Sequence, residues 1–344
     1  PMTDIKDWHA SDLKYANNVR HAQINLDIVS DGSHQTEDFL FYKHNGRCRI
    51  YNRVCDHNGG RLFIKDGKAV CPLHGWELDL SSGDYLTAKF HKQPVLTVDD
   101  NELDSPLVDI PVDDERLELN NFTREYHVDI SFFNHACLYF EVSTGLKFAT
   151  DPWVVGSAFN NGWWLARPSP ADVFEKLNGC DFIYVSHNHP DHLHPESLSH
   201  IRKDMPILTA DFESGSTTEI LEREGFTNIV AMNLTTQLRH PSDDISLAVL
   251  KSGDFRDDSG LLVELGAFKC LLTVDSNFLN FGKLPDKVDL VASAFAGGAT
   301  GFPLCFETYS EEQKKILVRR NRNVIKAMNK NTIERVSTRY FMPY

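Results

Sequence analysis

Four side chains suited to holding a metal lie on two short segments early in the 344-residue chain: Cys55-Asp56-His57 and, after thirteen further residues, Cys71-Pro72-Leu73-His74. Two thiolates and two imidazoles in this order can hold a [2Fe–2S] cluster, with sulfur ligands on one iron and nitrogen ligands on the other, or a structural zinc ion. Zinc sites usually run as a cysteine pair followed by a histidine pair, so the Cys-His, Cys-His order favours the cluster. Cys48 lies nearby without a spaced partner and reads as a core thiol.

A second, denser group follows the apolar run 181–186: His187-Asn188-His189-Pro190-Asp191-His192-Leu193-His194. Residues two apart in an extended loop point to one side, and the turn at Pro190 sends Asp191 and His192 back toward the same cavity. The bland alternative is a polar loop entering a helix, but surface loops seldom concentrate so many histidines. A further carboxylate is expected from a later strand end, where Asp275 follows the apolar run 271–274. His135 ends an early strand and either lines the same cavity or is a satisfied core histidine, whereas His194 and His200 are expected on a helix surface. No histidine follows His240, and the segment 252–258 contributes carboxylates, Asp254 among them, to complete the site. A carboxylate-rich set of this kind suits iron better than a hydrolytic dizinc pair.

Two kinds of element must position these groups. Short β-rich runs at 38–42, 49–51, 69–71 and 95–98, punctuated by Asn45-Gly46, Gly59-Gly60, Asp66-Gly67 and Ser82-Gly83, predict a small antiparallel domain around the first group. After the polar, proline-containing stretch 99–114 the pattern changes. Strand-like runs at 127–133, 137–142, 182–186, 207–209, 245–250, 261–265, 270–274 and 290–292 are interleaved with helical stretches at 171–177, 195–202, 217–224 and 311–328. The boundary falls within 100–122, dividing the chain into 1–115 and 116–344. The fold class is α+β, a small antiparallel β domain followed by an αββα sandwich.

The formal charge of −14, from 35 Lys and Arg against 49 Asp and Glu, disfavours a sequence-independent grip on nucleic acid or anionic lipid. No apolar run approaches a membrane span. The first ten residues show no secretory leader, and the seven cysteines read as a reduced, cytoplasmic set. The cations Lys314, Lys315, Arg319, Arg320 and Arg322 form either a solvated helical face or a contact for phosphate or carboxylate. Trp163 and Trp164 read as core, and the 297–301 glycine run as a turn or a ligand-approaching loop.

The segments 58–60 and 72–76 resemble the two cluster-binding loops of Rieske proteins, and the HxHxDH run resembles the signature of the metallo-β-lactamase fold. Both together, with Asp151-Pro152-Trp153, Gly162-Trp163-Trp164 and the 295–303 run, resemble the CMP-N-acetylneuraminate hydroxylase family from about residue 35 onward. Ala294 and Asp254 depart from that family, standing where an Asp and a His are expected. The resemblance implies a Rieske [2Fe–2S] cluster on Cys55, His57, Cys71 and His74. It also implies one or two non-haem iron ions on His187, His189, Asp191, His192 and Asp275, with Asp254 or His135 completing the set. The implied activity is a monooxygenase that inserts oxygen from O2 into a C–H or N–H of a small polar substrate, with a nucleotide sugar among the candidates. Because no GxGxxG follows a strand, electrons are expected from a separate ferredoxin, reductase or cytochrome b5-type protein. A metallo-β-lactamase-fold hydrolase with a redox-sensing cluster, and a simple electron carrier, are the rival readings.

Overall fold

The computed structural model describes residues 4–57, 59–99, 102, 105–295, 304 and 306–344. The glycine run 297–301 lies outside them. In strand Cys137–Val142 the side chains of Leu138, Phe140 and Val142 enter one core while Cys137 and Tyr139 enter another. This period of two, apolar on both faces, makes a sheet covered on both sides.

That sheet has six strands in the order Val128–Asn134, Cys137–Val142, Lys147–Thr150, Phe182–Tyr184, Ile207–Ala210 and Ile229–Met232. Its inner face, with Phe140, Phe148, Phe182 and Leu208, packs against Leu247, Val263 and Leu272 of a seven-stranded sheet. The seven strands run His9–Asp12, Thr236–Arg239, Ile245–Lys251, Ser259–Leu265, Phe268–Leu272, Lys287–Ser293 and Ser337–Pro343. Helices Val173–Asn178, Pro195–Ser199 and Ser216–Arg223 cover the outer face of the six-stranded sheet through Val173, Leu177, Leu198 and Leu221. The outer face of the other sheet, with Leu250, Leu262 and Val291, packs on Leu117, Leu279 and Leu284.

The cluster loops belong to a second unit. Its four-stranded sheet, Gly32–Gln35, Phe39–His44, Arg47–Asn52 and Leu96–Asp99, turns through Asn45-Gly46, both left-handed at φ 49° and 76°. These angles suit the tight hairpin expected of an Asn-Gly pair. A three-stranded sheet, Phe63–Lys65, Lys68–Val70 and Glu77–Leu78, carries the second cysteine between its last two strands.

By internal packing the chain falls into two units, each drawn from separate segments. The sandwich unit comprises Pro1–Tyr15, Leu117–Ala294 and Arg335–Tyr344, and the cluster unit Ala16–Arg116 and Phe295–Glu334. Strand His9–Asp12 pairs with Thr236–Arg239 rather than staying near the cysteines. The helix expected at 311–328 runs Glu311–Arg335, and its Val324, Ala327 and Met328 pack on the cluster core instead of forming an outer layer of the sandwich. A break in composition marks only the first crossing between units, because edge strands and a docked helix are recruited by long-range burial that no local pattern records.

Phe148 is fully buried and stacks on Phe140 and Phe182, at ring distances of 4.4 and 4.9 Å. Phe148→Ala should cost ~3–5 kcal/mol through the cavity left between the sheets. Urea unfolding followed by circular dichroism should register this as a lower midpoint.

Candidate metal centres

The two cysteine loops are built alike. In each, the cysteine N–H donates to the carbonyl five residues on (Gly60, 2.8 Å; Trp76, 2.8 Å), and the glycine four residues on donates back to the cysteine carbonyl (Gly59, 2.9 Å; Gly75, 2.9 Å). Gly59 and Gly75 both sit in the left-handed region, at φ 67° and 70°, which a residue with a Cβ enters only at a cost. The repeated turn places Cys55 and Cys71 in the core and the rings of His57 and His74 4.9 Å apart above them.

The residues fit a [2Fe–2S] cluster. Nδ1 of His57 is buried without a hydrogen-bond partner, an orphan that a metal would satisfy. A Cβ on Gly60 would lie 2.6 Å from Cys71 Sγ, so the glycine keeps a cradle open beside the sulfur. The Cys55 thiol and burial both push the Cys71 thiol up, and a bound metal would favour the thiolates. Around them, Trp76 stacks on His57 with centroids 4.4 Å apart. Tyr85 Oη lies 3.9 Å from Cys55 Sγ, accepts from the Asp56 N–H (3.2 Å) and donates to the Asp56 carboxylate (2.9 Å). The buried Lys92 ammonium donates to the same carboxylate at 3.2 Å.

The second group converges at the ends of strands Lys147–Thr150, Phe182–Tyr184 and Phe268–Leu272, with Asp258 joining just ahead of strand Ser259–Leu265. It forms two ligand sets. His187, His189 and Asp275 offer atoms within 4.8 Å of one another, and so do His135, Asp191 and His192. His187 Nε2 lies 2.8 Å from His189 Nδ1, and His135 Nε2 3.1 Å from Asp191 Oδ2. Asp275 Oδ2 is 3.5 Å from His192 Nε2 and so connects the two sets. His192 Nε2 and Asp191 Oδ1 are buried with no hydrogen-bond partner. Such a concentration of donors with orphaned lone pairs fits one or two metal ions, and the absence of thiolate from the sets points to a hard or borderline metal.

The supporting contacts fix which nitrogen each ring presents. Asp151, wholly buried, accepts from the Ser186 N–H and Oγ–H at 2.7 Å each and faces His192 Nδ1 at 3.0 Å. Ser186 Oγ lies 2.9 Å from His187 Nδ1. Both Nε2 atoms are thereby left for the cavity. Burial and the neighbouring His192 hold His187 well below the usual imidazole range, so its lone pair is available. Burial alone would raise the Asp275 carboxyl, but His192, His187 and His135 pull it well below the usual carboxylate range. Backbone strain collects here: His135, Asp151 and Val274 adopt φ 45°, 35° and 51°, an outlier for β-branched Val274 beside a candidate ligand.

The structure does not bring Asp254 into either ligand set. It is held by Arg256 Nε at 2.8 Å and Ser252 Oγ at 3.0 Å. The carboxylate that does approach is Asp258, buried, 3.6 Å from His187 Nε2 and 3.0 Å from Arg256. Burial pushes its carboxyl up to about 7, partly offset by Arg256. Asp151, Asp258 and Arg256 were not singled out as site residues from sequence, although Asp151-Pro152 just after a strand and an arginine flanked by three aspartates were visible signals. His194 is buried rather than exposed: its Nδ1 accepts the Ser197 N–H at 3.1 Å as a helix cap, and Nε2 meets the Ser157 carbonyl at 3.0 Å. His200 is exposed as expected. Trp164 is 67% exposed rather than core.

Residues 14–102 match the Rieske [2Fe-2S] domain and residues 129–253 the Beta-lactamase superfamily domain. The chain therefore joins a Rieske iron–sulfur domain to a metallo-β-lactamase-like domain. It is 32% identical over 336 residues to the cytidine monophosphate-N-acetylneuraminic acid hydroxylase of Macaca mulatta, covering 90% of this chain and 55% of that protein. The Mus musculus and Danio rerio hydroxylases are 32% and 31% identical over 335 and 333 residues, covering 90% and 89% of this chain and 56% and 54% of theirs. The chain is thus a relative of these hydroxylases through both domains, and it spans about half their length. Among solved structures it is similar to a mutant of CmlA beta-hydroxylase, with TM-score 0.44 and 22% identity over 64% of this chain and 46% of that one.

Two variants separate the centres. Gly60→Ala should lower acid-labile sulfide by about half or more, because the methyl has no room beside Cys71, while metal at the histidine cavity is retained. Asp151→Ala should do the reverse, weakening metal affinity at His192 by roughly 10–100-fold with the cluster absorbance unchanged. Metal titration and sulfide analysis of the same preparations check both outcomes.

Proposed function

We propose that this chain is a Rieske, non-haem iron-dependent monooxygenase. The observation that carries the reading is the presence, on one chain, of a cradle for a one-electron cluster and of a cavity with two imidazole–carboxylate ligand sets, Asp275 of one lying 3.5 Å from His192 of the other. In this reading His187, His189 and Asp275 hold one iron ion, and His135, Asp191 and His192 a second. Bound iron supplies O2 activation, and the cluster supplies electrons one at a time.

Inserting one oxygen atom of O2 into a C–H or N–H consumes two electrons and two protons from outside, and the second oxygen leaves as water. The protein's own residues prepare for this in three ways. Asp151 and Ser186 lock the tautomers of His192 and His187. Arg256 clamps Asp254 and Asp258 and donates to the Asp275 carbonyl at 3.1 Å, which keeps three aspartates together without their mutual repulsion opening the loop. His135 and Asp275 are each 30% exposed, whereas His187 and His192 are buried at 1%, so substrate approaches from the side of the exposed pair. Phe159, 38% exposed, sets its ring 6.4 Å from that of His189 and provides apolar surface beside that ligand.

The substrate is a small polar molecule, and nucleotide sugars are the first class to test because the relatives are named for one. Electrons come from a separate carrier, a ferredoxin or cytochrome b5-type protein. No helix among the described residues is long and apolar enough to cross a membrane.

His74→Ala should abolish substrate oxidation in the presence of reductant and O2 while leaving metal in the histidine cavity. Asp275→Ala should lose that metal and keep the cluster spectrum. Product analysis with oxygen consumption checks both, and turnover that persists under argon or without the cluster would overturn the oxygenase in favour of a hydrolase.

A further inference from the structure

Helix Glu311–Arg335 carries an uncommon charge pattern for a chain of net charge −14. From Gln313 to Ile333 it has seven lysines and arginines and no acidic residue. Five of them, Lys315, Arg319, Arg322, Lys326 and Lys330, follow one another at steps of four, three, four and four, the spacing that lines one helix face. All five are exposed. The opposite face is the packed one, where Val324, Ala327 and Met328 lie on the core beneath the cluster loops. A helix needing only solubility would intersperse acids at these spacings, since like charges three and four apart repel.

The helix also reaches the cluster. Arg320, one helical turn before Val324 on the packed face, donates to the His74 carbonyl and lies where a Cβ on Gly75 would meet it at 3.2 Å. His74 is the exposed ligand of the four, since Cys55 and Cys71 are buried and His57 half-buried. The stripe therefore runs across a helix of ~10 Å diameter from the loop whose histidine faces solvent.

Building on the oxygenase reading, which requires an external electron donor, we infer that the stripe Lys315, Arg319, Arg322, Lys326 and Lys330 is the docking surface for an acidic one-electron carrier protein, which delivers its electron beside His74. Charge complementarity argues for this occupant. The chain as a whole repels an acidic protein, so a local row of cations one helix diameter from the loop of the exposed ligand selects where such a protein touches, and raises its encounter rate. An anionic membrane is the weaker fit, because a surface-seeking helix presents an apolar face to lipid and here that face is packed on the core.

The test uses the anaerobically prepared, cluster-loaded full chain, with an acidic plant-type ferredoxin and an acidic cytochrome b5 as probes, each reduced and mixed in a stopped-flow instrument. Cluster bleaching by at least one carrier should slow by about tenfold in Arg319→Glu/Arg322→Glu, and in wild type between about 50 and 500 mM salt, whereas bleaching by dithionite stays the same in the variant. Should that variant lose its cluster, Lys326→Glu/Lys330→Glu, farther along the stripe from Arg320, serves in its place. Equal carrier rates in wild type and variant overturn the docking surface. So does failure of both carriers on a cluster that dithionite reduces, or salt-sensitive binding to phosphatidylserine vesicles with carrier rates unchanged. None of these readouts involves substrate or O2, so a failure of the oxygenase reading, seen as absent O2-dependent product, is distinguishable from a failure of this one.

Discussion

The buried carboxylate of Asp151 is the contact on which the histidine cavity depends. A charge with no solvent exposure persists only if its lone pairs are satisfied, and Asp151 satisfies them with the N–H and hydroxyl of Ser186 and the Nδ1 edge of His192. Those partners bracket the ligand loop. One anion thus ties the end of strand Lys147–Thr150 to both ends of the segment carrying four candidate ligands, and sets the tautomer of His192 in doing so. The parallel pairing of Thr150 with Tyr184 puts the anion in reach.

The cluster unit reaches an equivalent result without a buried acid at its centre. Two copies of one turn, each closed by a left-handed glycine four residues after a cysteine, hold the sulfurs inside and the imidazoles at the rim. The turns are stiffened from outside by Trp76 on His57 and by the Tyr85, Asp56 and Lys92 chain of hydrogen bonds. Hydrogen bonding and charge around the sulfur ligands set the potential of such a cluster, so these residues bear on its redox poise as well as its loop geometry.

Arg256 shows how the cavity manages a surplus of carboxylates. Burial first, and then the charges of Asp275 and Asp254, push the Asp258 carboxyl up to about 7 even with the guanidinium beside it. The planar fork reaches all three segments, two by ion pairs and one by a backbone carbonyl. That leaves His187, His189 and Asp275 to the cavity and takes Asp254 out of it.

The sequence by itself determined which side chains are candidates for the two centres, because ligand type and short spacing are local properties. Cys55, His57, Cys71 and His74, and the run from His187 to His192, could be read without any fold. The strands and turns that carry them were equally legible, since a period of two and the Asn45-Gly46 and Asp66-Gly67 signals act within a few residues. Tertiary structure alone decided the remainder. Arg256 pairs with both Asp254 and Asp258, yet only the fold decides that Asp258 is the one that lies 3.6 Å from His187, and His194 is buried with Ser157, 37 residues away in sequence, over it. The interleaving of the two units, with the His9–Asp12 strand joining one sheet and the long basic helix returning to the cluster, rests on edge pairing and apolar burial between segments hundreds of residues apart, and such contacts leave no periodic trace in the residues that make them.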